Sequence, residues 1–130
     1  MEQQIQFLLQ NFGFDDQRTE AWHLKRNERI TASEVWKSFS DASASARKEL
    51  IMSKLMPKIQ ERCNGGVGVL IWGTRLEPIA KNIYSIEKGV EIKDLSCVPH
   101  SEHNFIGASP DGINIDINSD RYGRMLEIKN

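Results

Sequence analysis

Cysteine is scarce: Cys63 and Cys97 are the only two in 130 residues. Two cysteines cannot build a disulfide scaffold, and these lack the paired spacing of a zinc site. The expected setting is reducing and intracellular, either cytoplasmic or, in a eukaryotic host, nuclear. Long apolar runs are missing too. No stretch approaches the ~18 consecutive apolar residues of a membrane-spanning helix, so no membrane partner is expected. The N-terminus, Met1-Glu2-Gln3-Gln4-Ile5-Gln6-Phe7, has neither the basic segment nor the small-residue cleavage site of a secretory signal. An excess of one charge is also lacking, since 17 Lys and Arg face 18 Asp and Glu. Bulk positive charge is therefore not available to hold a nucleic acid, and any such binding needs a local patch. What remains is an ordinary globular composition, 39 % hydrophobic and 27 % charged. A chain of this size can bury about two-thirds of its unfolded surface.

Charge is nevertheless unevenly placed. Residues 18–62 hold ten Lys and Arg against six Asp and Glu, so the remainder is net acidic. That pattern suggests a modest basic face in the first half and a carboxylate-rich site in the second.

The first half reads helical. Ile5, Leu8, Leu9 and Phe12 recur at helical spacing over residues 3–12. Thr19 is placed to cap a short helix containing Trp22 and Arg26. Thr31-Ala32-Ser33-Glu34 has the form of a capping box, with Thr31 at N-cap, Glu34 at N3, and Ile30 and Val35 at the flanking staple positions. A longer helix is expected from about Ser45 to Arg62, kinked at Pro57. Cys63-Asn64-Gly65-Gly66 then reads as an internal loop.

The second half changes period. From Trp72 to Lys88, the residues Leu76, Ile79, Ala80, Ile83 and Tyr84 share one helical face, with Pro78 near the start. After Gly89 come strand signals separated by turn residues: Val90 and Ile92, Phe105-Ile106, Ile113 with Ile115 and Ile117, and Leu126 with Ile128. The expected fold is α/β, a mixed β-sheet flanked by helices. It forms a single domain over residues 1–130, helical over residues 1–64 and built of a helix plus the sheet over residues 67–130.

The second half also carries a constellation. Ser109-Pro110-Asp111-Gly112 is, alone, common turn chemistry. Glu127-Ile128-Lys129 is, alone, an ordinary ion pair on a solvated strand face. In a strand, Glu127 and Lys129 share one face while Leu126 and Ile128 take the other. Asn118-Ser119-Asp120 is the turn signal between the two runs. A hairpin centred on Ser119 pairs Asp111 with Glu127; a slightly later centre pairs it with Lys129. Either register sets the Asp111 carboxylate beside the Glu127–Lys129 face. Adjacent carboxylates repel unless a cation or proton lies between them. An oxygen-only cluster suits Mg²⁺, and with a lysine it suits metal-assisted hydrolysis of a phosphodiester. In the first half, Ser33 at the second position of the expected capped helix would meet an anion, and Arg26 can bind phosphate bidentately. His100-x-x-His103 has ligand-like spacing but lies in a polar loop.

Asp111 followed by Glu127-x-Lys129 resembles the PD-(D/E)XK nuclease signature. Glu20-Ala21-Trp22-His23-x-x-Arg26, with Ile30-Thr31-Ala32-Ser33-Glu34-Val35, resembles the first block of the phage-lambda-type exonucleases, also called YqaJ-like viral recombinases. Trp72-Gly73-x-x-x-Glu77-x-x-Ala80 resembles their next block. Ser109-Pro110-Asp111-Gly112 and Leu126-Glu127-Ile128-Lys129 resemble the last two. The resemblance implies a metal-dependent deoxyribonuclease that degrades double-stranded DNA from 5′ ends in viral or phage recombination. It implies that Asp111 and Glu127 ligate Mg²⁺ (or Mn²⁺), with the Ile128 carbonyl as a third ligand and Glu77 as a further carboxylate near the metal. Lys129 would act on the nucleophilic water, and Arg26 and Ser33 would hold the terminal 5′-phosphate. A ring-shaped homotrimer and a single-strand-annealing partner are implied as well. The alternatives are a PD-(D/E)XK endonuclease and a catalytically silent DNA-binding or assembly fragment. The nuclease core of such families continues past the lysine with a helix and a strand, whereas the sequence stops at Asn130. The expectation is a truncated domain that lacks the C-terminal portion of the core, binds Mg²⁺ weakly and has little or no nuclease activity on its own, whereas an extended chain is active.

Overall fold

The computed structural model describes residues 1–56 and 69–129. In order these form α1 (Glu2–Phe12), α2 (Glu20–Asn27), β1 (Ile30–Thr31), a 3₁₀ turn (Val35–Ser38), α3 (Ala44–Leu55), α4 (Val69–Lys88), β2 (Ile92–Lys93), β3 (Val98–Pro99), β4 (Ile106–Ala108), β5 (Gly112–Asn114) and β6 (Met125–Leu126). The fold is mixed α/β, as expected, with two three-stranded sheets and flanking helices. It divides into two compact units. Among the described residues no helix is long and apolar enough to cross a membrane.

The first unit contains α1, α4, β2, β5 and β6. Its central strand β5 pairs antiparallel with β2 on one side and with β6 on the other. Ile113 of β5 is fully buried, together with Leu95. The β5–β6 register sets Gly112 opposite Leu126 and Ile113 opposite Met125. This is the register of a hairpin centred on Ser119, so the alternative that pairs Asp111 with Lys129 is not adopted. The connecting turn is held by its own polar side chains. Ser119 Oγ accepts from Asn114 Nδ2 and from the Arg121 amide, and Asn114 Oδ1 accepts from the Asp116 amide. Of the three expected strand residues Ile113, Ile115 and Ile117, only Ile113 lies in a strand, because the turn claims the chain from Asp116 onward. The turn closes at Gly123, whose φ is 78°. A side chain there is strained, and a Cβ would stand 2.6 Å from Ile5 Cδ1. Gly123→Ala is expected to cost about 1–2 kcal/mol in chemical denaturation, the left-handed penalty for a residue with a Cβ.

Helix α4 ends in a Schellman motif: the Gly89 amide bonds Ile86 O, the Val90 amide bonds Ser85 O, and Gly89 has φ 59°. Its start departs from expectation. The apolar pattern continues upstream of Trp72, so the helix begins at Val69 and Pro78 lies inside it rather than near its start. Proline has no N–H to give the helical ladder. The shared apolar face also divides. Leu76, Ile79 and Ile83 are exposed with Trp72 and Ile86, whereas Ala80 and Tyr84 are half-buried with Gly73, Glu77 and Lys81. The narrow small-and-polar stripe of α4 is the one turned inward, and it carries Glu77.

The second unit contains α2, β1, the 3₁₀ turn, α3, β3 and β4. Thr19 caps α2 as expected, its side chain accepting from the Trp22 amide at 3.2 Å. Ser43 caps α3, which buries Ala46 and Leu50. The expected continuation of α3 to Arg62, the Pro57 kink and the loop at 63–66 lie outside the described residues. The capping box at Thr31 is corrected. Ile30–Thr31 is a strand pairing parallel with β4, Ile30 opposite Ile106 and Thr31 opposite Gly107. Only a four-residue 3₁₀ turn follows, beginning after Glu34. Half of the box survives, since Glu34 Oε1 accepts from the Thr31 amide at 3.1 Å. The strand ladder takes the backbone, and the Thr31 hydroxyl turns to other partners.

Candidate active site

The hairpin register decides how the expected carboxylates meet. The Asp111 amide donates to Leu126 O at 3.0 Å, and the Ile128 amide donates to Asp111 Oδ2 at 2.6 Å. Asp111 is thereby fixed opposite the Glu127–Lys129 segment, with its second carboxylate oxygen outside this bond. Strand β6 ends at Leu126, so Glu127, Ile128 and Lys129 lie just beyond the strand expected there; burial still alternates, with Leu126 and Ile128 half-buried and Glu127 and Lys129 exposed. Glu127 and Lys129 form an ion pair. Glu127 holds the Lys129 ammonium above its usual pKa, first by hydrogen bonding and then by charge.

Asp111 carries the electrostatic signature of the site. Burial pushes its carboxyl upward, the Ile128 N–H pulls it down, the Glu127 and Glu77 carboxylates push it up, and Lys81 pulls it down; the net direction is up. Lys81 stands one turn beyond Glu77 on α4 and pairs with Asp94. Sequence reasoning did not single it out. Glu77 lies in mid-helix, so a first-turn role at the positive end of the dipole does not apply to it. Asp111, Glu127, Ile128 and Lys129 are brought together by one hairpin, whereas Glu77 acts on Asp111 through its charge. Among the described residues no three His, Cys, Asp or Glu side chains are gathered closely enough to form a ready-made cage.

In the other unit, Arg26 is the centre of a second cluster. Its guanidinium lies 4.5 Å from the Trp22 ring centroid, and its Nη1 donates to Ser109 Oγ at 3.3 Å. Nη2 donates to Ser33 Oγ at 3.4 Å and reaches Thr31 Oγ1 at 3.5 Å. Trp22 Nε1 also donates to Ser109 Oγ, at 3.2 Å. Arg26 and Ser33 therefore meet as expected, for a different reason. Ser33 follows a strand rather than starting an α-helix, so hydroxyls and a guanidinium make the cluster, not a helix dipole. Trp22 supports Arg26 by a cation–π contact and a shared hydroxyl. Thr31 and Ser109 complete the ring of hydroxyls. Sequence reasoning missed both as site residues. Ser109 stands 83 positions from Arg26, and no local pattern links them. A guanidinium with three hydroxyls is a natural receptor for a phosphate. The rings of His100 and His103 stack at 5.2 Å, and His100 Nδ1 accepts from the Glu102 and His103 amides.

Residues 21–130 match the YqaJ-like viral recombinase domain. The chain belongs to the YqaJ-like viral recombinase domain family. An alkaline exonuclease from Laribacter hongkongensis, known as LHK-Exo, has a similar structure. The TM-score is 0.58 at 31 % identity, over 74 % of this chain and 48 % of that one. A second structure, LHK-Exo in complex with dAMP, matches with TM-score 0.58 and 30 % identity, over 75 % of this chain and 49 % of that chain. An uncharacterized protein of Acanthamoeba polyphaga mimivirus is 29 % identical over 122 residues, covering 88 % of this chain and 21 % of that protein. The chain thus spans about half the length of the solved exonuclease and a fifth of the viral protein. The PD-(D/E)XK fold implied by the resemblance agrees with this likeness to the alkaline exonuclease structure.

Within this YqaJ-like domain a further pair stands behind the Arg26 cluster. Lys54 of α3 pairs with Glu34 and donates to Arg26 O at 3.2 Å. Burial raises the Glu34 pKa, but the Lys54 hydrogen bond, the Thr31 N–H and the Lys54 charge outweigh it and leave the carboxyl below its ordinary value of 4.5. A carboxyl depressed in the fold adds stability above its unfolded pKa and loses it as pH falls through the folded one. Glu34→Gln is therefore expected to lower the melting temperature at neutral pH. The gap to the unsubstituted protein should begin to close as pH falls to the ordinary value of 4.5 and go on closing below it, as the depressed carboxyl protonates in the fold. Thermal melts across that range check it.

Proposed function

We propose that the protein is a metal-dependent deoxyribonuclease that degrades double-stranded DNA from 5′ ends. The observation that carries this reading is the β5–β6 register, which fixes Asp111 against the segment bearing Glu127 and Lys129. A like arrangement can serve a surface strand, but burial together with two nearby carboxylates presses on Asp111. A divalent cation relieves that pressure, and an all-oxygen donor set fits Mg²⁺, with Mn²⁺ as a substitute. Asp111, Glu127 and the Ile128 carbonyl would hold it, with Glu77 adding negative charge nearby. When bound, the ion polarises a phosphoryl oxygen and acidifies a water. Lys129, now paired with Glu127, would be the group that orients the attacking water. Arg26, Ser33, Thr31 and Ser109 receive the terminal 5′-phosphate. The related exonuclease binds dAMP, a nucleoside monophosphate of the kind an exonuclease releases.

A ring-shaped trimer, a single-strand-annealing partner and an intracellular setting belong to the same proposal, supported by family membership and, for the setting, by the free thiol of buried Cys97. The test is a side-by-side digestion of linear and covalently closed circular duplex, with Mg²⁺ and with chelator. Linear duplex should be consumed only with the metal, and circles should survive. Nicking of circles at a similar rate would favour an endonuclease. Binding without cleavage would favour a silent module.

A further inference from the structure

We infer that Lys54 and Glu34 form a positioning pair that sets the backbone beneath the phosphate cluster, and so governs recognition of a 5′-phosphate without touching it. The inference rests on the 5′-phosphate reading of the Arg26 cluster. Lys54 Nζ donates to Arg26 O at 3.2 Å, and that carbonyl also accepts from the Arg29 amide at 3.1 Å. Glu34 Oε1 accepts from the Thr31 amide at 3.1 Å and pairs with Lys54. The two partners thus grip the backbone at Arg26 and at Thr31. The side chains of those same residues converge on Ser33.

Four further features separate this pair from an ordinary surface ion pair, which is worth little. Both side chains are mostly buried, 22 % and 24 % exposed. Each makes a main-chain bond as well as the ion pair. Lys54 also sits on α3, 28 residues from Arg26, so it couples the end of α2 to a separate element. The cation lies at the C-terminal turn of α2, where the helix dipole favours it. A binding constellation needs its members held to within about half an ångström. Arg26 reaches its three hydroxyls at 3.3–3.5 Å, so a small shift of its backbone breaks that set.

The test measures binding rather than cleavage. Fluorescence anisotropy in chelator compares a duplex bearing a 5′-phosphate with the same duplex bearing a 5′-hydroxyl. Lys54→Met should reduce the phosphate preference roughly tenfold, the size of one charge-assisted contact, while leaving 5′-hydroxyl binding unchanged. Lys54→Arg, which keeps the charge and a donor, should retain the preference. The charge-swapped double variant Glu34→Lys/Lys54→Glu restores an ion pair but neither backbone bond, so its preference should stay lost. Recovery in the swap, or full preference in Lys54→Met, would overturn the inference. If Lys54→Met does not fold by circular dichroism, Glu34→Gln decides: it should lose part of the preference, and an unaltered preference overturns the inference. Arg26→Ala separates the two layers. If it erases the preference while Lys54→Met keeps it, only the positioning pair fails. If the unsubstituted protein has no preference to lose, the phosphate reading fails and takes the pair with it.

Discussion

Asp111→Asn is expected to reduce hydrolysis of linear duplex DNA at least ~10³-fold. The loss corresponds to several kcal/mol of charge stabilisation, at about 1.4 kcal/mol per tenfold. The substituted amide can still accept the Ile128 N–H that Asp111 Oδ2 takes at 2.6 Å. It also removes a charge that burial, Glu127 and Glu77 all oppose. Without divalent cations, Asp111→Asn should therefore melt no lower than the unsubstituted protein. Lost activity with retained stability separates a ligand from a structural residue. Lys129→Met should lose ~10²–10⁴-fold, the range for a group that handles the proton of a nucleophilic water. Lys129 is solvent-exposed and pairs with exposed Glu127 two residues away, so its removal should leave the melting temperature unchanged. Near-normal digestion by either variant would remove the hairpin from the mechanism.

Arg26→Ala is expected to erase most of the preference for 5′-phosphate over 5′-hydroxyl ends. A hydrogen bond to a charged group contributes about 1.5–3 kcal/mol, or roughly ten- to hundredfold. The change should fall on the KM for phosphorylated ends, with cleavage of hydroxyl ends little altered. Ser109→Ala should give a smaller loss in the same direction, because Ser109 Oγ meets both Arg26 and Trp22. An equal loss on both kinds of end would mean that Arg26 serves DNA binding generally. No loss on either would place the end-reading elsewhere.

Both clusters contain residues that the sequence makes legible and residues that it does not. The Asp111–Glu127 juxtaposition was legible because a period of two, a turn signal and a fixed hairpin register leave few choices. Which of two registers formed was settled by the turn. Ser119 and Asn114 hold it tightly enough to centre the hairpin there. The three-residue spacing of Thr31 and Glu34 predicts a helix cap. The Glu34 bond to the Thr31 amide forms in the strand conformation too, so the local signal is the same for both outcomes. What decides is the pairing of β1 with β4, which comes from a distant stretch of the chain. Helix α4 shows a different limit. Periodicity groups Leu76, Ile79 and Ile83 onto one face, but it cannot say which face the rest of the unit covers. The inward face proves to be the one with Glu77, Ala80, Lys81 and Tyr84. Ser109 and Lys54 join the Arg26 cluster from separate segments, and tertiary structure alone brings them in.

The central claim is that this chain's site removes nucleotides from a 5′-phosphorylated duplex end. The most direct measurement follows a linear duplex labelled on the 5′-terminal phosphate of one strand, digested in Mg²⁺ and sampled at early times. The predicted first labelled product is a mononucleotide, absent with Asp111→Asn and delayed with Arg26→Ala. Labelled oligonucleotides as the first product, whether from internal cuts or from a strand that shortens at its 3′ end with the label still attached, would contradict the account.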